Sequence, residues 1–573
     1  MSSLALQVMD LTSLRAVIWE LRRELLPSRF EKAQQPSPKT LQLGFRTLSG
    51  LIWLELCWLA EAPRLVRIPP PSRQGTESTL AQQFQHSLRQ LALISLEQKD
   101  FERVVHFGLA KRPGEPSQRT LVLELMGRHS NLLLLDDQNR VITLGRQVRD
   151  HQSRVRPIGT GDTYGEPPKL QGQQPSSAES MQRWRERLCV IPNTVQKALQ
   201  LTYQGISPSL AMQLAGEEPD EALRLLSQQV RDLDETQWRV LFQRWRSWLD
   251  HLEQGRFRLR FDGPTAYRVW DSKGCCGQST PETGLSLGLG CYYREQLQRR
   301  ELNQLTNELH QRLNHWRDRE ERALLEQQQR LESTSQSSEF QNQADAILCL
   351  PSPSREQVDS AQKLYKLARK LRRSSSVLLE RIAHHQQRIQ LIEGSESFME
   401  DLHAAKWEKK EDRLVRLQDL RLELEDLLAT SPRHRRKSRG SERLSPQPLE
   451  LPTPGGLIVQ VGRNHRQNDW ISLRQARPGD LWFHAQECPG SHVVLKASSG
   501  LAEEADLQIA ADLAAHFSRA RGNQRVPVMV VPTEQLQRIP GSAPGTVRHR
   551  GGEVFWAEPE RGRQHLSSLK PLA

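Results

Sequence analysis

A chain of 573 residues suggests roughly three or four domains, and 80 Lys+Arg against 68 Asp+Glu leave it a formal charge of +12. That surplus points first to nucleic acid and then to anionic membrane surfaces; no run of 18 uncharged apolar residues exists, so no bilayer-spanning helix is expected. Seven cysteines without C-x-x-C spacing argue against a disulfide framework and fit a reducing cytosol, and MSSLALQVMDL lacks the basic and apolar regions of a standard secretion signal.

Residues 1–170 read as an α+β unit. Asp10 precedes Leu14, Val17, Ile18, Leu21 and Leu25, a helical stripe with Asp10 placed to cap it. Thr40 to Thr47 and Leu51 to Trp58 alternate and read as a hairpin. After a polar loop, Leu80 to Leu96 reads as a second amphipathic helix. Strands are expected at Glu102 to Leu109, Thr120 to Met126, Leu132 to Asp136 and Arg140 to Leu144, which makes a helix-flanked antiparallel meander. Glu102-Arg103 is either an exposed ion pair worth little or an Arg that grips phosphate or guanine, steadied by its carboxylate. Arg128 and His129 sit in a polar corner, either capping a hairpin or facing RNA.

Residues 176–260 read as helical. VQKALQLTYQGISPSLAMQL places two apolar helical turns around Gly205, a helix-hairpin-helix pattern that either meets phosphate or packs helices. Trp238, Trp245 and Trp248 recur at helical spacing and are read as core. From 290 to 430, Leu302, Leu305, Leu309, Leu313 and Trp316 step by three or four, as do leucines and isoleucines from Leu364 to Ile392. With Pro351 and Pro353 between them, these runs predict a long antiparallel coiled coil. Lys363, Lys366, Arg369 and Lys370 make one stretch strongly basic, either a solvated face or an RNA or ribosome contact.

Residues 430–454 form a Pro, Ser and Arg-rich linker containing Arg433 to Lys437, whose attraction to RNA needs no fixed structure. Residues 455–573 read as a second α+β domain, with a helix from Ala502 to Arg521 and a strand from Val526 to Val531. Its centre is GDLWFHAQECPGSHVVLK: strands Leu481 to Phe483 and Val493 to Leu495 around a Pro489-Gly490 corner. Asp480, Trp482, His484, Ser491 and His492 flank it. His484, His492 and Cys488 match no structural zinc spacing, so polar RNA contacts or structural hydrogen bonds are expected, with no metal and no cofactor. No phosphate loop, nucleophile elbow or supported carboxylate pair is present, so no catalytic residue is assigned. The fold class is multidomain α+β.

Several of these stretches are familiar. VGRNHRQNDWISLRQARPGDLWFHAQECPGSHVVLK, AADLAAHFSRARGNQRVPV and PGSAPGTV in the C-terminal part resemble the RqcH/NEMF family, the NFACT or fibronectin-binding-A-like proteins. MDLTSLRAVIWELRREL, ELMGRHSNLLLLD and DSAQKLYKLARKLRRS extend the resemblance to the N-terminal and middle parts. The resemblance implies ribosome-associated quality control: binding a large ribosomal subunit obstructed by peptidyl-tRNA and recruiting alanyl-tRNA for untemplated C-terminal alanine tailing. The bond would form in the ribosome's own centre, so the chain would act as an adaptor, without membrane or DNA partners. In the family an early Asp and a later Asp-Arg pair are associated with tRNA; Asp10 matches the first, while Glu102-Arg103 carries Glu where Asp is usual. Two other readings are a surface adhesin, the family's older label, and a nucleic-acid enzyme. The family's N-terminal region is similar to glycosylases with an N-terminal Pro, but Ser2 and Ser3 follow Met1 here.

Overall fold

The structure, a computed structural model, describes residues 6–568 apart from 72–77, 150, 154–155, 169–170, 272–283, 335, 429–445 and 540–541. It divides into two units, Met1–Leu297 and Gln298–Ala573.

In the first unit, helix α1 (Leu11–Leu25) starts where Asp10 accepts the Ser13 amide at 2.9 Å, and Leu14, Val17, Ile18, Leu21 and Leu25 are buried as the stripe requires. It packs on a nine-stranded antiparallel sheet: β1 (Ser28–Ser37), β2 (Thr40–Thr47), β3 (Gly50–Cys57), β4 (Arg64–Ile68), β5 (Ala92–Gln98), β6 (Val104–Ala110), β7 (Arg119–Glu124), β8 (Asn131–Leu135) and β9 (Val141–Leu144). The order 4-3-2-1-5-6-7-8-9 makes two meanders joined where Ser28 pairs with Leu93 and Arg29 with Ala92. Helix α2 (Thr79–Leu88) bridges them. The second amphipathic helix was expected to run to Leu96 and ends eight residues earlier. Gln90 takes φ +69, which ends the helical path, and Leu93 and Leu96 then face the core from β5. Strand β1, SRFEKAQQPS, has no apolar alternation and was not anticipated. It buries Phe30, and its Gln34 donates to Gln42 of β2 at 2.7 Å.

Helices α3 (Met181–Cys189), α4 (Val195–Thr202), α5 (Pro208–Ala215), α6 (Pro219–Ser227) and α7 (Glu235–Gln254) enclose an aromatic core. Trp238, Trp245 and Trp248 are at most 1% exposed, as their spacing predicts, and meet edge-on or tilted: Trp238 on Trp184, Trp245 on Tyr203 and Trp248 on Trp245. A short hairpin, β10 (Arg260–Phe261) and β11 (Tyr267–Arg268), follows.

Helices α8 (Leu285–Thr334) and α10 (Arg355–Ala404) have 50 residues each, about 75 Å at 1.5 Å per residue. They run antiparallel: Glu320 bonds His385 at 2.7 Å and Arg388 at 2.9 Å, and Arg317 pairs with Glu396. Two additions were not anticipated. Helix α9 (Ser337–Leu348) folds onto α10 through Tyr365 to Asp345 and Arg372 to Gln341. Helix α11 (Lys410–Leu428) makes the base a three-helix bundle, in which Leu309 and Leu313 meet Phe398, Met399, Leu417 and Leu420.

The remaining elements are β12 (Leu449–Pro452), β13 (Ile458–Val461), α12 (His465–Asp469), β14 (Leu481–Ala485), β15 (Val493–Leu495), α13 (Glu504–His516), β16 (Val526–Pro532), β17 (Leu536–Arg538), β18 (Val547–His549), β19 (Glu553–Ala557) and α14 (Pro559–Ser568). Six strands form one antiparallel sheet, 12-13-15-14-16-19, with α13 on its inner face. The expected hairpin is β14–β15, with Trp482 opposite Val494. The basic run Arg433 to Lys437 lies outside the described residues. Strand β12 falls inside the segment read as linker, because Leu451 pairs with Val459.

Candidate nucleic-acid interface

The first unit brings Asp10 together with Glu102 and Arg103 from two separate stretches. Asp10 is 5% exposed, and both its carboxylate oxygens are engaged: Oδ1 accepts from the Ser13 amide at 2.9 Å and hydroxyl at 2.7 Å, and Oδ2 accepts from the Ser207 hydroxyl at 2.7 Å. Ser207 in turn caps α5 by accepting from the Leu210 amide at 2.9 Å. One carboxylate thus holds two helix N-termini. Partial burial lowers the Arg103 guanidinium's pKa, and the charges of Asp10 and Glu102 oppose that loss. Asp10 therefore works chiefly as a positioning group.

The hairpin between α4 and α5 docks on this cluster. Gly205 has φ +80, and a Cβ there would lie 2.5 Å from a Leu11 methyl and 3.3 Å from the Phe101 ring. The turn therefore packs against the start of α1, the packing alternative of the helix-hairpin-helix pattern. Beside it a cleft holds about 570 Å³ of space, part of it open to solvent, lined by Lys99, Glu102, His106, Glu166 and Gln204 among others. Arg15 belongs to the same corner: its Nε donates to Gln98 at 3.0 Å and its guanidinium covers the Phe101 ring at 4.9 Å. Sequence reading missed Arg15, Lys99 and His106, because only the packing of α1 on β5 and the pairing of β5 with β6 gather them. Arg128 and His129 are exposed at the same end of the sheet, just past β7, with Arg128 Nε donating to His129 at 3.0 Å.

In the second unit Lys363, Lys366, Arg369 and Lys370 are all exposed on the distal part of α10. At about 100° per residue they fall within roughly 120° of the helix surface, so four cations share one face.

The C-terminal motif is mostly internal. Asp480 is fully buried: its carboxylate accepts from the Ser498 hydroxyl at 2.6 Å, the Arg477 amide at 2.9 Å and Lys496 Nζ at 3.1 Å. Burial opposes its charge, yet these donors prevail and hold its pKa below the usual carboxylate value. Gly490 lies where a Cβ would come within 2.9 Å of Ser518, the neighbouring Ser491 amide donates to Phe517 at 2.8 Å, and the Arg519 amide donates to Pro489 at 2.9 Å. The corner is thus bonded to the end of α13. Ser491 is itself fully buried. His492 is 4% exposed, and its Nδ1 shares a 2.8 Å hydrogen bond with Ser472. Trp482 stacks on His484 at 5.5 Å. Desolvation pushes His484 down to about 4 and His492 well below its ordinary value, so both rings are neutral near pH 7.

The fold is that of a multidomain α+β chain, and comparison with known proteins gives its class. Residues 10–358 match the model of the NFACT N-terminal and middle domains, and residues 450–551 match that of the NFACT protein RNA binding domain. The chain belongs to the RqcH/NEMF, or NFACT, family. It is 27% identical over 587 residues to the Rqc2 homolog RqcH of Streptococcus suis, covering 96% of this chain and 98% of that one. It is 23% identical over 502 residues to the Rqc2 homolog RqcH of Bacillus subtilis, covering 81% and 82%. A solved C-terminal part of the fibronectin/fibrinogen-binding protein from Streptococcus suis is 26% identical, covers 47% of this chain and 99% of its own, and has a TM-score of 0.39.

Proposed function

We propose that this chain is an RNA-binding adaptor of ribosome-associated quality control, acting in the cytoplasm. It binds obstructed large ribosomal subunits that carry peptidyl-tRNA and recruits alanyl-tRNA for untemplated C-terminal alanine tailing. One observation carries the reading: the N-terminal match and the RNA-binding match occur in one chain that aligns with 98% of an RqcH protein. Arg103 and the exposed Arg128 and His129 take tRNA, with Glu102 steadying Arg103 and Asp10 fixing the corner. The cationic face of α10 takes ribosomal RNA. Peptide-bond formation belongs to the ribosome, so no nucleophile is needed here.

The test is affinity isolation of the tagged chain from translation-stressed cells, followed by RNA sequencing. Large-subunit rRNA and tRNA are expected to be enriched, and absence of both overturns the reading. Arg103→Ala should weaken tRNA recovery about tenfold, the worth of one bidentate contact, while subunit recovery holds. Equal loss of both would make Arg103 a structural residue.

A further inference from the structure

The outer face of the C-terminal sheet is covered over only part of its width. Ile471 and Leu536 lie over Trp482, Val494 and Val531. Met529 packs against this cluster and His484 stacks on Trp482, so the face is open only along Val554 and Trp556. His484 pairs with Met529, Met529 with Val554, and Pro527 with Trp556, so these side chains line successive rows. Val554 is 46% exposed and Trp556 61%, whereas Phe555 between them packs toward the core. Two residues apart on one strand, Val554 and Trp556 present their apolar area on the same face.

Arginines stand at both ends of β19, with Glu553 exposed at its start. Arg548 and Arg550 are exposed on the strand and turn that lead into β19 and make no ion pair among the described residues. Arg525, with its side chain 69% exposed, precedes the strand that pairs with β19 and meets Glu558 at 3.5 Å. The flat aromatic face with arginines around it suits a base and its phosphates, because every base offers a π-face and a flanking anion. A second copy of this chain would set like charges together. Strand addition along β19 is also disfavoured, because Gln508 Nε2 already donates to the outward Trp556 carbonyl at 3.3 Å.

We propose that Trp556, with Val554 and Met529 beside it, stacks an unpaired base of single-stranded RNA while Arg548, Arg550 and Arg525 take the neighbouring phosphates. The inference rests on the RNA-binding reading and extends it to a residue beyond the 450–551 match. The test is fluorescence anisotropy of the full chain with short fluorescent oligoadenylate and oligouridylate. Trp556→Ala and Trp556→Leu should bind about tenfold more weakly, and Trp556→Phe within about threefold of the unmodified chain. An Arg548→Ala, Arg550→Ala double variant should lower the salt slope by about 2. Leu keeps apolar area without a π-face, so Trp556→Leu binding as tightly as Trp556→Phe overturns the proposal and leaves the RNA reading standing. No binding by the unmodified chain overturns both. A dimer that Trp556→Ala dissolves overturns it in favour of self-association.

Discussion

Asp10 shows how a candidate site residue can already be held by internal partners. Its carboxylate caps α1 through Ser13 and holds Ser207 at the start of α5. Asp10→Ala leaves the Ser13 amide and the Ser207 hydroxyl without this acceptor. It should lower stability by about 1–2 kcal/mol, read as an earlier calorimetric melt, while Asp10→Asn, which keeps an acceptor for Ser13 but sets an NH2 where Oδ2 accepted from Ser207, should cost less than Asp10→Ala. An unchanged melt in Asp10→Ala would mean that the carboxylate is not structural. The C-terminal motif follows the same logic. Asp480, Gly490 and His492 were legible as a cluster, but residue type does not reveal whether a partner already holds it. Ser498, Ser518 and Ser472 do so here, and the open positions, Val554 and Trp556, lie on a strand the motif did not include.

At the scale of elements, periodicity served best where one face alone is buried. Helix α1, the β2–β3 hairpin, β6 to β9 and the two long helices follow their apolar patterns. It failed where neighbours supply what the pattern lacks: β1 is polar yet central, because β2 and β5 bond its backbone on both sides. The cationic face of α10 carries its own prediction. Replacing Lys363, Lys366 and Lys370 by Ala should leave melting unchanged and reduce the salt slope of RNA binding by about 2 to 3, one released counterion per phosphate contact. An unchanged slope, measured by anisotropy over a salt series, would make the face merely solvated.

Across the second unit, buried ionisable groups join the helical base to the C-terminal sheet. His465 of α12 meets Leu391 and Ser395 of α10 at 3.1 Å, and Glu423 of α11 accepts the Arg466 amide at 2.7 Å. Desolvation pushes His465 down to about 4 and Glu423 up to about 7. As pH falls from about 6.5, the unfolded chain takes the histidine proton first, so stability is lost on acidification. As pH rises from about 4.5 to 7, the unfolded chain releases the Glu423 proton first, so stability is lost in that direction too. Glu423→Gln keeps the acceptor and removes the ionisation. It should raise stability by about 3 kcal/mol near pH 8, with no gain below about pH 4.5, as followed by calorimetry.

From the sequence alone came the class of molecule: a basic chain without an apolar span, with helices and strands set by local spacing, and motifs that mark its family. These depend on neighbours a few residues apart, which the chain order already states. Tertiary structure alone decided which charged groups stand together, which are occupied by internal partners and which aromatic is left open. Those outcomes depend on contacts such as Asp10 to Ser207, 197 residues apart, which no local pattern encodes.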